Sequence, residues 1–234
     1  NDNLSYTSIT SAEQLKSLSN SNGNYRLDSD ITISNWEGIS NFGGIFDGNG
    51  HKIIIENGIN GLFESTNGAI IKNVTVDANI YDSWYNMGGL VGLAVNTKIE
   101  NSTTSGSLVG DYMLGGLVGT TKGQCEISNC YSSVEVYSKY VSPSNGNAPE
   151  DNNDFMSYAG GFIGYAGSQS GITNNLTIND CSATGDVKTE YWIAGGFIGY
   201  IKSDVTLNNC VESGNVYGNY SGKGDDYKPL YKGS

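Results

Sequence analysis

The pentapeptide Gly88-Gly89-Leu90-Val91-Gly92 returns three times, as Gly115-Gly116-Leu117-Val118-Gly119, Gly160-Gly161-Phe162-Ile163-Gly164 and Gly195-Gly196-Phe197-Ile198-Gly199. A phosphate-cradling glycine loop occurs once per site, and a glycine motif that packs membrane helices lies inside a long apolar run. Copies distributed along one chain instead mark a repeat architecture, each copy being the same corner of a stacked unit, where two glycines allow positive φ and close backbone approach while the apolar pair enters the core.

A second stretch repeats between the copies and aligns without a gap: AIIKNVTVDANIY from Ala69, TKIENSTTSGSLV from Thr97, CEISNCYSSVEVY from Cys125, LTINDCSATGDVK from Leu176 and VTLNNCVESGNVY from Val205. Ala69, Thr97, Cys125, Leu176 and Val205 share one column, and Ile71, Ile99, Ile127, Ile178 and Leu207 share the column two residues on. That is the period-two alternation of a strand with one buried face. Next comes the column Asn73, Asn101, Asn129, Asp180 and Asn209, followed by the small residues Val74, Ser102, Cys130, Cys181 and Cys210. Asn accepts left-handed backbone and its amide bonds nearby main chain, so this column predicts a sharp bend in every unit. Stacked about 4.8 Å apart, such amides can also bond one another.

The Asn spacings are 28, 28, 51 and 29 residues. They predict an all-β parallel β-helix, single-stranded, with coils of about 28 residues. Because backbones of adjacent coils must hydrogen-bond, extra residues can leave only at corners. Two segments rich in Asn, Ser and Gly, SKYVSPSNGNAPEDNNDFMS at 138–157 and GSQSGITNN, read as such surface loops. Upstream, Ser11 precedes Ala12 with Gln14 three residues later, and Leu15 and Leu18 follow at helical spacing. This predicts a short capped helix covering the open end of the solenoid, where unpaired strand edges would invite aggregation. The chain therefore reads as one β-helix domain over 1–234, with a cap at 7–24, coils over 25–220 and a polar tail or linker at 221–234.

Thirty-three Gly, three Pro and sixteen Tyr favour strands and tight turns. A net charge of −12, with 24 acidic residues against 12 basic, repels nucleic acid and anionic membrane surfaces. No apolar stretch is long enough to span a bilayer, and no charged-then-apolar leader is visible. The opening NDNLSYTS, without Met, fits a mature segment or an excised domain.

The G-G-[LF]-[VI]-G units resemble the GLUG repeat, and FGGIFDGNGHKI preceded by ITSAEQLKSLS resembles the entry into the GLUG-type right-handed β-helices of secreted bacterial proteins. The resemblance covers roughly residues 7 to 220. It implies a right-handed parallel β-helix in an extracellular, modular, Gram-positive surface context, as in adhesin-like proteins and in large immunoglobulin A proteases, where such repeats accompany a separate catalytic domain. It implies no particular ligand.

The expected function is a non-catalytic extracellular module for adhesion or ligand binding, or a rigid spacer, with a host protein or glycan and the flanking domains of a longer chain as partners. The alternative is a carbohydrate-active enzyme, a polysaccharide lyase or glycoside hydrolase of β-helix type. Such enzymes need a basic residue beside carboxylate-held Ca²⁺, or two or three carboxylates facing one cleft. Arg26 and His51 are the only Arg and His, and neither lies among repeated acids. His51 reads as a corner residue, and Arg26 in YRLDSD as the partner of a neighbouring Asp.

Aromatic residues give the candidate binding site. Tyr85, Tyr112 and Trp192 stand three residues before a glycine pair, Tyr158 two before, and Trp84 and Tyr191 adjoin them. Stacked coils would align these rings into a ladder able to meet sugar faces, or simply to stack on itself. Glu150, Asp151 and Asp154 in the insertion are candidate Ca²⁺ ligands, set against a plain acidic loop; no other cofactor is expected. The four Cys read as small buried thiols, with a Cys181–Cys210 bond within geometric reach of adjacent coils. Five N-x-S/T sequons begin at Asn3, Asn73, Asn101, Asn175 and Asn219; in a chain so rich in these residues chance accounts for them.

Overall fold

The structure, a computed structural model, describes residues 4–83, 85–140, 157–167, 174–190 and 193–218. Their strands form four parallel sheets of eight, ten, four and five strands. One circuit runs through Thr75–Tyr81 in the ten-stranded sheet, Asn86–Gly88 in the four-stranded, Val91–Val95 in the five-stranded and Lys98–Glu100 in the eight-stranded sheet. The chain then re-enters the ten-stranded sheet at Thr103–Gly110, directly beside Thr75–Tyr81. Neighbouring circuits are offset by 27 residues where Val91 meets Val118 and by 28 where Lys98 meets Glu126. This is the arrangement of a parallel β-helix, all-β with one short α-helix, Ala12–Lys16, among the described residues.

Inward side chains of the stacked strands fill the lumen. Ile71, Ile99, Ile127 and Ile178 stack in register and are at most 1% exposed. Val74, Ser102, Cys130 and Cys181 form the next inward column, all buried. Between these columns the chain bends at Asn73, Asn101, Asn129, Asp180 and Asn209, whose φ angles lie between 48° and 56°. Their side chains connect coils: the Asn101 amide donates to Asn73 Oδ1 at 3.4 Å and the Asn209 amide to Asp180 Oδ1 at 2.6 Å. A second bend, outside the aligned Asn column, lies at Gly68, Asn96 and Gly123, also with positive φ. At the amino end Ser11 caps Ala12–Lys16, accepting from the Gln14 N–H while the Gln14 side chain accepts from the Ser11 N–H, and Leu15 and Leu18 are buried.

The glycine motif differs in one respect from the sequence expectation. Leu90, Val91, Leu117, Val118, Phe162 and Ile163 do enter the core, each 0% exposed, and Phe162 stacks on Phe197 at 4.6 Å. The motif glycines, however, are not among the residues with positive φ. They are required by proximity: a methyl group on Gly119 would lie 2.6 Å from the Met87 nitrogen, and one on Gly164 would lie 2.6 Å from the Leu114 nitrogen. Backbone cannot move aside as a flexible side chain can. The four-stranded sheet thereby folds against the five-stranded sheet with no Cβ between them.

On the outer face of the eight-stranded sheet one column reads Arg26, Asp47, Lys72, Glu100, Ser128, Asn179, Asn208. Arg26, expected to pair within its own segment, reaches instead to Asp47 on the next coil at 3.4 Å, and its guanidinium lies 4.2 Å from the Tyr6 ring centre. The Asp47 carboxylate, 8% exposed, also has Lys72 at 4.0 Å and accepts from the Asn73 amide at 3.0 Å and the Asn49 N–H at 2.9 Å. Burial pushes its pKa up, but the Asn73 and Asn49 hydrogen bonds together with Lys72 and Arg26 outweigh burial and hold it below the ordinary aspartate value.

Two outcomes follow. Gly119→Ala is expected to lower stability by on the order of 3 kcal/mol or to prevent folding, because the clash is with main chain. Gly68→Ala meets nothing within 4 Å and bears only the cost of its positive φ, about 1 kcal/mol. Thermal unfolding of the two variants checks this; equal losses would contradict it. For Asp47, a depressed folded pKa means its contribution is present above the unfolded value near 4 and lost as pH falls through the folded value. Asp47→Asn should therefore be the less stable protein at neutral pH, with the gap closing below about pH 4 in urea titrations. A gap independent of pH would count against the network.

Candidate functional site

The corner where the ten-stranded sheet hands over to the four-stranded sheet gathers three tyrosines, Tyr85 exposed and Tyr112 and Tyr140 half-buried. Tyr85 precedes the strand Asn86–Gly88, Tyr112 precedes Met113–Gly115, and Tyr140 follows Glu135–Ser138. Stacking of coils brings them together: Tyr85 and Tyr112 lie 4.6 Å apart with planes 8° from parallel, and Tyr140 meets Tyr112 at 5.3 Å and 44°. Tyr85 is 43% exposed. Burial, then Tyr85, Tyr140 and Asp111, raise the Tyr112 phenol, so it stays protonated and serves as a hydrogen-bonding and stacking surface. Just below, Tyr81 is 66% exposed with the Lys139 ammonium 4.0 Å above its ring, and the Tyr137 hydroxyl donates to Glu190 Oε1 at 2.7 Å.

Tyr158 does not belong to this edge. It lies in register with Met113 and Ile193, one strand position beyond the Tyr112 level, and is 2% exposed. There it packs in a small core outside the lumen with Met113, Tyr165 and Tyr200, stacked on Tyr200 at 4.6 Å, and burial, then Tyr200 and Tyr165, push its phenol up to about 12. The fold of the four-stranded sheet onto the five-stranded sheet creates this core, a feature that strand periodicity alone does not show. Trp84, Tyr191 and Trp192 lie outside the described residues, as do Glu150, Asp151 and Asp154. The inserted loop is pinched at its base, where the buried hydroxyls of Ser138 and Ser157 hydrogen-bond and Ser138 also donates to the Asp111 carbonyl at 3.0 Å.

All four thiols are free, so Cys181 and Cys210 are not bonded to each other. Cys130, Cys181 and Cys210 each donate to the carbonyl two residues back, at 3.2, 3.1 and 3.4 Å, as the Ser102 hydroxyl does at 2.8 Å. The thiol thus does the work of a hydroxyl beside the Asn bend. The hydrogen bond to Cys181, then burial, raise Cys130, and burial raises Cys125. His51 is a corner residue with Nδ1 3.0 Å from Asp30. Among the described residues no three His, Cys, Asp or Glu side chains gather as a metal site, and no helix is long and apolar enough to cross a membrane.

Stacked parallel coils with a glycine-closed corner define a class, the β-solenoid built of short repeats. Residues 85–109 and 110–137 match the family model of the GLUG motif, so this part of the chain is similar to GLUG repeats. Halomucin from Haloquadratum walsbyi (strain DSM 16790 / HBSQ001) is 34% identical over 143 residues, a match covering 49% of this chain and 2% of that far longer protein. A solved Bacteroides ovatus structure, provisionally named an immunoglobulin A1 protease, superimposes with a TM-score of 0.57 at 16% identity. That match covers 97% of this chain and 81% of the other and shows a shared fold.

The two classes of tyrosine are separable by stability. Tyr158→Ala should cost about 3 kcal/mol or more through the cavity it leaves. Tyr85→Ala, at a largely exposed ring, should cost under about 1 kcal/mol. Urea unfolding of both variants measures the difference, and comparable losses would place Tyr85 in the core.

Proposed function

We propose that this domain is a non-catalytic extracellular module of a larger surface or secreted protein, a right-handed β-helix closed at its amino end by the helix Ala12–Lys16. It presents one corner as a binding edge for a glycan or host protein. The observation that carries this reading is the ring stack Tyr85, Tyr112 and Tyr140, with Tyr85 43% exposed on a scaffold whose core is continuous beneath it. Aromatic rings held rigidly at low entropic cost, amphipathic and half in water, are what recognition surfaces use. The GLUG repeats and the likeness to halomucin support the surface setting.

An array of glycans and extracellular proteins, probed with the intact chain and with the Tyr85→Ala, Tyr112→Ala double variant, tests it. Selective binding that falls at least tenfold in a folded double variant is the expected outcome. Binding unchanged in the variant would remove the edge from the reading. Repeating the array with and without Ca²⁺ tests whether Glu150, Asp151 and Asp154 contribute through a bound ion.

A further inference from the structure

A second surface feature adjoins the stack on its amino-terminal side. The coils before Asn86–Gly88 have no strand in the four-stranded sheet, so the ledge left below that sheet opens as a groove of about 480 Å³. Its lining includes Lys16, Asn35, Glu37, Ile59, Asn60 and Glu64. Gly92 ties the groove to the tyrosine edge: a single point at its missing Cβ lies 2.5 Å from the Asn86 carbonyl, next in sequence to Tyr85, and 3.0 Å from Asn60 Oδ1 at the groove floor. Groove and stack are therefore neighbouring surfaces along the solenoid axis.

The lining is chemically mixed in a particular way. Ile59, 42% exposed, supplies an apolar wall. Glu37 and Glu64 are acceptors, the latter also holding the Ser40 hydroxyl, while Lys16 and the exposed Asn35 amide supply donors; Asn60 is buried at the groove floor. Donors and acceptors around an apolar wall match a molecule with hydroxyls on its rim and C–H groups on its face. Two carboxylates against one ammonium, in a chain of net charge −12, disfavour a polyanion.

We infer that this groove and the Tyr85–Tyr112–Tyr140 stack form one track for a neutral oligosaccharide lying along the solenoid axis, the groove holding one end through Glu37, Asn35 and Ile59. The inference rests on the binding-edge reading above and extends it to a ligand class and a second subsite.

Titration calorimetry with neutral chito- and manno-oligosaccharides of one to six units, and with hyaluronan and a sulfated glycan, tests it on the intact chain. The variants are Glu37→Gln and Ile59→Ser in the groove, both at exposed positions that leave the core untouched, and Tyr85→Ala, Tyr112→Ala on the edge. Affinity that rises with the length of a neutral oligosaccharide and falls at least fivefold in both groove and edge variants is expected. Loss in the edge variant alone would overturn the groove subsite while leaving the binding edge standing. Preference for the anionic glycans would overturn the ligand class, and no glycan binding by the unmodified chain would overturn the inference altogether.

Discussion

Between the four-stranded and five-stranded sheets there is no room for even a methyl group. Gly92, Gly119, Gly164 and Gly199 each place their Cα where an added Cβ would come within 2.5 to 2.6 Å of backbone atoms. This contact lets two strands of one coil fold sharply over Leu-Val or Phe-Ile pairs and bury them completely in the middle coils. It also decides what happens outside the lumen. With the sheets this close, their outer faces meet over Met113, Tyr158, Tyr165 and Tyr200, and the corner before them is left to carry Tyr85, Tyr112 and Tyr140. Core and edge tyrosines thus differ by one residue of register, with Tyr112 half-buried between the exposed Tyr85 and the core of Met113, Tyr158 and Tyr165.

In-register stacking turns every position of the coil into a column, so a side chain is judged by what stands one coil above and below it. Alternating charge succeeds in the column Arg26, Asp47, Lys72, Glu100, and amides succeed where Asn208 donates to Asn179 at 2.8 Å. Ion pairs of this kind contribute little net stability when desolvation is counted. Their effect is on register: a coil displaced by one step would set unlike columns side by side. Thiols and hydroxyls interchange beside the Asn bend because both donate to the same carbonyl.

Much of this was legible in the sequence, for a physical reason. A solenoid repeats its environment, so the inward Ile column, the small residue after Asn and the apolar pair of the glycine motif recur at fixed spacing. What was not legible depends on distances between separate strands. Positive φ and close approach both call for Gly, and only geometry distinguishes them; at the motif glycines it is proximity alone. Tyr158 stands two residues before its glycine pair, in the Met113 column rather than the Tyr112 column, and the alternation of the strand turns it into the core. Tyr140 lies inside the insertion at 138–157, where no repeat exists to align it. Arg26 found Asp47 rather than an Asp in its own segment because the nearest residue in space is one coil away.

The most direct test of the glycine-closed corner is amide hydrogen exchange resolved by residue. Leu117 and Val118 donate to the Phe162 carbonyl, and Phe162 and Ile163 donate to the Phe197 carbonyl, across the sheet that the contact supports. These four amides should exchange together, among the slowest in the molecule, at a rate set by global unfolding. Exchange of these amides within minutes while the Ile99 and Ile127 strands stay protected would show that the corner opens on its own, and would contradict the account.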